Sequence, residues 1–144
     1  MLVKFEDDKI NFIDSNDHFL GFDLVEKCCE NFGWGVENAF TREVILSSQS
    51  FPEDTTDTHT LDGYVFPEDC YVGVEQNYLT YEEWEEEHGD SDEDWEPEGG
   101  VAVFAAVHPT KDPIYIKLYN HHSGYYAHLW TFKVGTEQTL TGEL

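Results

Sequence analysis

The sequence predicts a single α+β domain over residues 1–144, a mostly antiparallel β-sheet of about five to seven strands with one or two short helices. Three observations predict it. The first 22 residues alternate polar with apolar side chains between clusters of turn-forming Asp, Asn and Ser. A helix-capping pattern begins at Asp23. The last third holds a continuous apolar run followed by two further strand-like segments. A chain of 144 residues is of one-domain size. It can bury roughly two thirds of its unfolded surface without a metal or disulfide. Aromatic residues make up 15% of it, unlike an acidic disordered tail.

The elements follow in order. Leu2–Glu6 and Lys9–Ile13 read as strands joined at Asp7-Asp8, and His18–Phe22 as a third strand after the Ser15-Asn16-Asp17 turn. Asp23 with Glu26 resembles a capping box, and Leu24, Cys28 and Phe32 follow at helical spacing, so a short helix is expected from Leu24 to Asn31, ended by Gly33 and Gly35. Ala39–Leu46 fits a strand or a second short helix. Ser47–His59 is polar and reads as a surface loop. Strands are expected again at Leu61–Phe66 and Tyr71–Gln76. Thr80 with Glu83 makes a second capping pattern, which predicts an acidic helix over Tyr78–His88. Gly89–Gly100 is turn-rich, and 82–100 as a whole is the expected mobile acidic segment. Val101–Val107 has the length and composition of a buried strand. Ile114–Asn120 and Tyr125–Phe132 predict a hairpin around Ser123-Gly124, and Thr139–Gly142 a short edge strand.

An even-length hairpin loop would place Ile114, Ile116, Leu118, Ala127 and Leu129 on a core face. The opposite face would carry Tyr115, Lys117, Tyr119, His121, Tyr126, His128, Trp130 and Phe132. Within it Tyr119, His121, Tyr126, His128 and Trp130 form a candidate ligand face, since Tyr and Trp dominate binding hot spots; the competing reading is a second, covered core layer. The segment Asn120-His121-His122-Ser123-Gly124-Tyr125-Tyr126-Ala127-His128 resembles the N-H-H-N-G-Y-Y-S-H segment of an uncharacterised family of small bacterial and phage proteins. Phe5–Phe12 and Cys28-Cys29-Glu30 resemble its N-terminal part, while Ser123, Ala127 and Leu129 depart from its pattern. The resemblance implies a bacterial or phage origin and assigns no activity to any residue.

Charge carries the functional expectation. Residues 43–110 hold nineteen Asp and Glu and no Lys or Arg, and the chain has a formal charge of −24. Such a field steers association toward cationic partners and argues against direct contact with nucleic acid or anionic membrane, which require Lys and Arg. A compact chain of this size has a long dimension of roughly 40 Å. Its −24 then amounts to one charge per ~1.7 Å, close to the axial density of duplex DNA. The plain alternatives are a solvated face or a halophile's surface. Interaction is favoured because Tyr78, Tyr81, Trp84 and Trp95 are interleaved with the acids.

No reaction chemistry is specified. His121 and His128 would be two ligands where zinc needs three or four, so no metal and no cofactor is expected. Asp90-Ser91-Asp92-Glu93-Asp94 starts like an EF-hand loop, but Trp95 and Val101 stand at its sixth and twelfth positions, where Gly and Glu are needed. No nucleophile motif, P-loop or dinucleotide fingerprint is present, and Glu26 and Glu30 would push the thiols of Cys28 and Cys29 up. Three cysteines with one adjacent pair do not form a secreted disulfide framework. The opening MLVKFEDDKINF lacks the basic-then-apolar signature of a signal peptide, and reduced thiols suit a cytoplasm, so a cytoplasmic protein is expected, of a bacterium or phage-infected host as the resemblance implies.

The expected function is that of an acidic binding or inhibitor protein, not an enzyme. It would occupy a basic, nucleic-acid-binding site on another protein, in the manner of a DNA-mimic anti-defence factor such as an anti-CRISPR or antirestriction protein. The partner-binding residues would be Glu82, Glu83, Glu85, Glu86, Glu87, Asp92, Glu93 and Asp94 for charge, with Trp84 and Trp95 as anchors. The alternatives are a small metal- or ligand-dependent enzyme on the His/Tyr-rich hairpin, and an immunity protein or antitoxin.

Overall fold

The computed structural model describes residues 1–25, 31–48, 58–75, 98–122 and 128–144. These residues form eleven strands: β1 (Leu2–Glu6), β2 (Lys9–Ile13), β3 (His18–Asp23), β4 (Asn31–Asn38), β5 (Val44–Ser47), β6 (Thr58–Thr60), β7 (Tyr71–Glu75), β8 (Glu98–Ala106), β9 (Ile114–His122), β10 (Leu129–Val134) and β11 (Glu137–Glu143). They build two sheets, ordered β11-β10-β3-β2-β1-β6 and β5-β4-β9-β8-β7, with every pairing antiparallel. The sheets pack face to face as a β-sandwich.

Strand period two explains the packing. Val3, Ile10, Phe12, Leu20, Phe22, Trp130 and Phe132 point inward from the six-stranded sheet. Trp34, Val36, Leu46, Ala102, Phe104, Ile114, Ile116 and Leu118 answer from the other, and all belong to one buried cluster. Aromatic rings lock the sheets together: Phe12 meets Trp34 edge-on at 5.5 Å, and Phe104 meets Trp130 edge-on at 5.2 Å. Edge-to-face pairs of this kind add to simple area burial. Val101 and Val103, on the other side of β8, are also buried.

The first three strands form as expected, and their turn shows why. Glu6 pairs with Lys9, leaving Asp7 and Asp8 as a two-residue loop with φ of 55° and 58°. Both angles are those of a type I′ turn, whose twist matches antiparallel strands and which Asp tolerates. Strands at Tyr71–Glu75 and Ile114–His122 and the exposed edge strand β11 also agree with the sequence, and the buried run from Val101 is in β8. But β8 begins at Glu98, so Glu98–Gly100, expected in the mobile segment, are paired with Asn120–His122, and Thr58 and His59, expected in a loop, pair with Lys4 and Val3.

Four further expectations are corrected. The described residues contain no helix, so the class there is all-β with more strands than the five to seven expected. The helix expected over Leu24–Asn31 is not formed at either described end. Asp23 Oδ1 accepts the Val25 amide at 3.0 Å, a local turn rather than a helix cap, and Leu24 N donates to Asp8 O. Asn31 opens β4, where Phe32, Trp34 and Val36 recur at strand spacing. Gly33 does not end a helix; a Cβ there would lie 2.5 Å from Ser48 Oγ and 2.6 Å from Tyr119 Oη. Leu61–Phe66 is a turn segment with one bridge, Val65 to Val107, around Gly63 at φ 82°. The acidic helix over Tyr78–His88 lies outside the described residues.

The fourth correction is the C-terminal hairpin. β9 pairs with β4 and β8, while β10 pairs with β3 and β11. The two segments therefore belong to opposite sheets, and Tyr119 does not pair with His128. Ile114, Ile116 and Leu118 face the core as expected, but Leu129 is 47% exposed while Trp130 and Phe132 are buried. Each strand takes its parity from its own sheet, so a chain crossing between layers need not keep one face.

Candidate functional site

The topology gathers one end of the sandwich. β3 ends at Asp23, opposite Lys9, and β4 begins at Asn31, opposite His121. β5 runs out toward the start of β4, with Ser48 N on Trp34 O at 3.0 Å. β6 begins at Thr58, opposite Lys4 and on the Glu6 side of β1. β7 ends at Glu75 and β8 begins at Glu98, opposite His122, the last residue of β9. The contact of Phe32 with His128, 4.4 Å between ring centroids, brings these ends of the two sheets together. The connections 26–30, 49–57, 76–97 and 123–127 thus all attach at one end. Together they carry fifteen of the 31 Asp and Glu and a single lysine, Lys27. The exposed pair Asp7-Asp8 stands at the same end.

The expected partner-binding residues Glu82, Glu83, Trp84, Glu85, Glu86, Glu87, Asp92, Glu93, Asp94 and Trp95 all lie in 76–97, outside the described residues. The β-strands fix only where that segment leaves and re-enters the sheet, at Glu75 and Glu98.

The candidate ligand face is divided. Tyr119 stands on the outer face of its sheet, beside Gly33. His128 is fully buried. Its Nδ1 meets the Asp23 carbonyl at 2.6 Å, so that nitrogen carries the proton and donates. Its ring stacks on Phe32 and tilts against Phe22 at 5.9 Å. Its backbone exchanges two hydrogen bonds with Leu144, at 2.9 and 3.0 Å, and Leu144 O also accepts from Asn120 Nδ2 at 2.8 Å. His128 is therefore a hydrogen-bonded core residue that closes the acidic end from beneath. Trp130 is in the core. Tyr126 and the side chain of His121 lie outside what is described. Among the described residues no three His, Cys, Asp or Glu side chains are grouped to hold a metal ion, and no helix is long and apolar enough to cross a membrane.

Three features of the opposite end and the flank were not singled out from the sequence. Asp14 Oδ1 accepts the amides of Asn16 and His18, each at 2.9 Å, while Oδ2 accepts the Phe66 amide and His18 Nδ1, each at 2.8 Å. Burial alone would raise this carboxyl, but the amides of Phe66 and His18 and the other donors outweigh it and hold Asp14 below the usual carboxylate range. His18 stacks on Phe132 at 5.9 Å. Nearby, Cys70 is buried, and burial, with the charges of Asp69 and Asp14, pushes its thiol up to about 11. On the outer face of the five-stranded sheet Glu37 meets Lys117 Nζ at 2.9 Å and Arg42 Nε at 3.0 Å. Neither approach has hydrogen-bond geometry at Glu37 Oε1, so the pair is Coulombic. A single Asp in a turn gives no sequence signal for a partner 52 residues away.

No family model, curated protein or solved structure matches this chain. None of these comparisons bears on the resemblance of residues 120–128 to the small bacterial and phage family.

Proposed function

We propose that this is an acidic binding protein that occupies a basic, nucleic-acid-binding site on another protein. One observation carries the proposal: the strands deliver four connections to one end of a sandwich, and those connections hold nearly half of the chain's acids against one lysine. Loops clustered at one end of a β-sandwich are a common binding arrangement, with the sheets as the rigid support. Concentrating charge at one end favours a directed field over a uniform one, and a directed field steers a cationic partner into one orientation. Trp84 and Trp95 within the acidic sequence supply apolar anchors. An anti-defence inhibitor fits this arrangement, and so does an immunity protein or antitoxin against a basic toxin.

The test is an affinity capture from bacterial lysate eluted with a salt gradient and identified by mass spectrometry. A single stoichiometric basic protein, released at moderate salt, is expected. Replacing Glu82, Glu83, Asp92 and Asp94 together by lysine should abolish that capture. Capture that survives the replacement in a folded variant defeats the proposal.

A further inference from the structure

Along one flank the described sandwich has no covering strand. The edge strands there are β11 of one sheet and β7 of the other, and neither has a described strand on its outer side. Between them lies a groove of about 430 Å³. Phe132, Val134 and Leu140 form one wall, Tyr71 stands on the other, and Glu68 and Asp69 form the lip. Two features point to what would fill it. β11 is seven residues long and exposed along nearly all of its length, a row of unpaired backbone donors and acceptors of the kind that accepts another strand. Val134 and Leu140 remain 41% and 40% exposed in the groove.

Charge selects the occupant. β11 carries Glu137 and Glu143 and no cation, the groove lip is acidic, and the chain is −24. A second copy bringing the same charge is repelled, whereas a cationic strand is attracted. We propose that this flank binds an extended basic peptide with an apolar residue at every second position. The peptide would pair along β11 with its apolar side chains in the groove and its Lys or Arg side chains on the opposite face beside Glu143, drawn to the flank by the field of Glu68, Asp69 and Glu137. The site is separate from the acidic end and uses described residues only.

The test uses the full-length protein and an amidated nonapeptide alternating lysine and valine. Its controls are a glutamate–valine counterpart and a lysine–valine peptide with a central proline. Binding is followed by fluorescence anisotropy and mapped by backbone-amide NMR shifts. The lysine–valine peptide is expected to bind, with shifts over 137–143 and 68–72, and both controls to bind at least tenfold more weakly. Leu140→Lys, at an exposed position, and the pair Glu68→Lys/Asp69→Lys should each weaken binding at least tenfold. The four-lysine variant that tests the acidic end should leave the mapped shifts in place, so the two proposals fail separately. Equal binding of the glutamate–valine peptide, shifts confined elsewhere, affinity unchanged in both groove variants, or a sedimenting dimer with β11 at its interface would each overturn the proposal.

Discussion

Removal of the Asp14 carboxylate tests the tightest polar knot in the described fold. One buried carboxylate accepts three backbone amides and one imidazole N–H, all within 2.9 Å. Hydrogen bonds to a charged group contribute about 1.5–3 kcal/mol each, though not additively when they share one acceptor. Asp14→Ala leaves the buried Phe66 amide without a partner, a further penalty of about 1–3 kcal/mol. A total loss of about 3–5 kcal/mol is expected, comparable to breaking a buried ion pair and a large part of a typical 5–15 kcal/mol stability. His18→Phe keeps a ring against Phe132 and removes one bond of the four, so a loss of about 1–1.5 kcal/mol is expected. The assay is guanidinium denaturation at pH 7 for both variants and for their combination, repeated on descent from pH 6 to 2. The sign with pH follows from linkage. Asp14 is held below its ordinary value, so its stabilisation is fully present above the unfolded value of about 3.9 and is lost as pH falls through the lower folded value. Wild type should therefore lose more stability than Asp14→Ala below about pH 4. A loss under about 1 kcal/mol at pH 7, or acid profiles that superimpose, would refute the assignment.

Other outcomes follow from the same packing. In a Cys28→Ser/Cys29→Ser background, Cys70 should react with a thiol reagent at pH 8 about a hundredfold more slowly in the folded than in the denatured protein, because its thiol is pushed up to about 11; comparable rates would show that it is accessible and ionised. Gly142→Ala should cost about 1–3 kcal/mol in denaturant titration, since its Cβ would lie 2.6 Å from the Trp130 indole carbons, and an unchanged midpoint would mean that β11 swings freely. His128→Phe preserves the stack on Phe32 but strands the Asp23 carbonyl, with about 1–3 kcal/mol lost; a neutral result would show that the carbonyl finds water.

What was legible in the sequence is what neighbours along the chain decide. Asp7-Asp8 between two alternating segments specifies both a turn type and a register, and the first three strands followed from it. The helix expected after Asp23 rested on spacing that a non-helical turn also satisfies, because Asp23 can bond the amide two residues on as readily as a helix N-terminus. The stronger signal lay beyond it: Phe32, Trp34 and Val36 with glycine between the first three positions has period two. The hairpin failed for a different reason. Ser123-Gly124 between two strand-like segments marks a reversal, but nothing local states whether the second strand pairs with the first or crosses to the other sheet. Leu129 outward and Trp130 inward become intelligible only once β10 is placed beside β3. The flank groove and the Asp14 knot depend on residues far apart in sequence and had no local trace. The acidic run was the plainest feature of all in the sequence, and the fold adds where its segment is attached.

That attachment gives salt two opposite roles. The described ion pairs are few: Lys4 with Glu6 on the surface, Lys117 and Arg42 with Glu37, and His18 with Asp14. Exposed pairs of the first kind contribute little, and screening removes little with them. Self-repulsion among 31 acids opposed by seven Lys and Arg is the larger exposed term, and it acts against the folded state, which holds the charges closer together. Raising NaCl from about 20 mM to about 500 mM shortens the screening length from roughly 20 Å to roughly 4 Å, so the thermal midpoint should rise while capture of the basic partner weakens. Differential scanning fluorimetry and the capture assay read the two effects on the same preparation. A midpoint that falls with salt would mean that ion pairing, not repulsion, dominates the folded state. A partner retained at about 500 mM salt would mean that apolar contacts, not charge, hold it. An opposed pair of slopes is what a sandwich stabilised mainly by apolar packing, with an excess of acids that both repel one another and attract the partner, is expected to give.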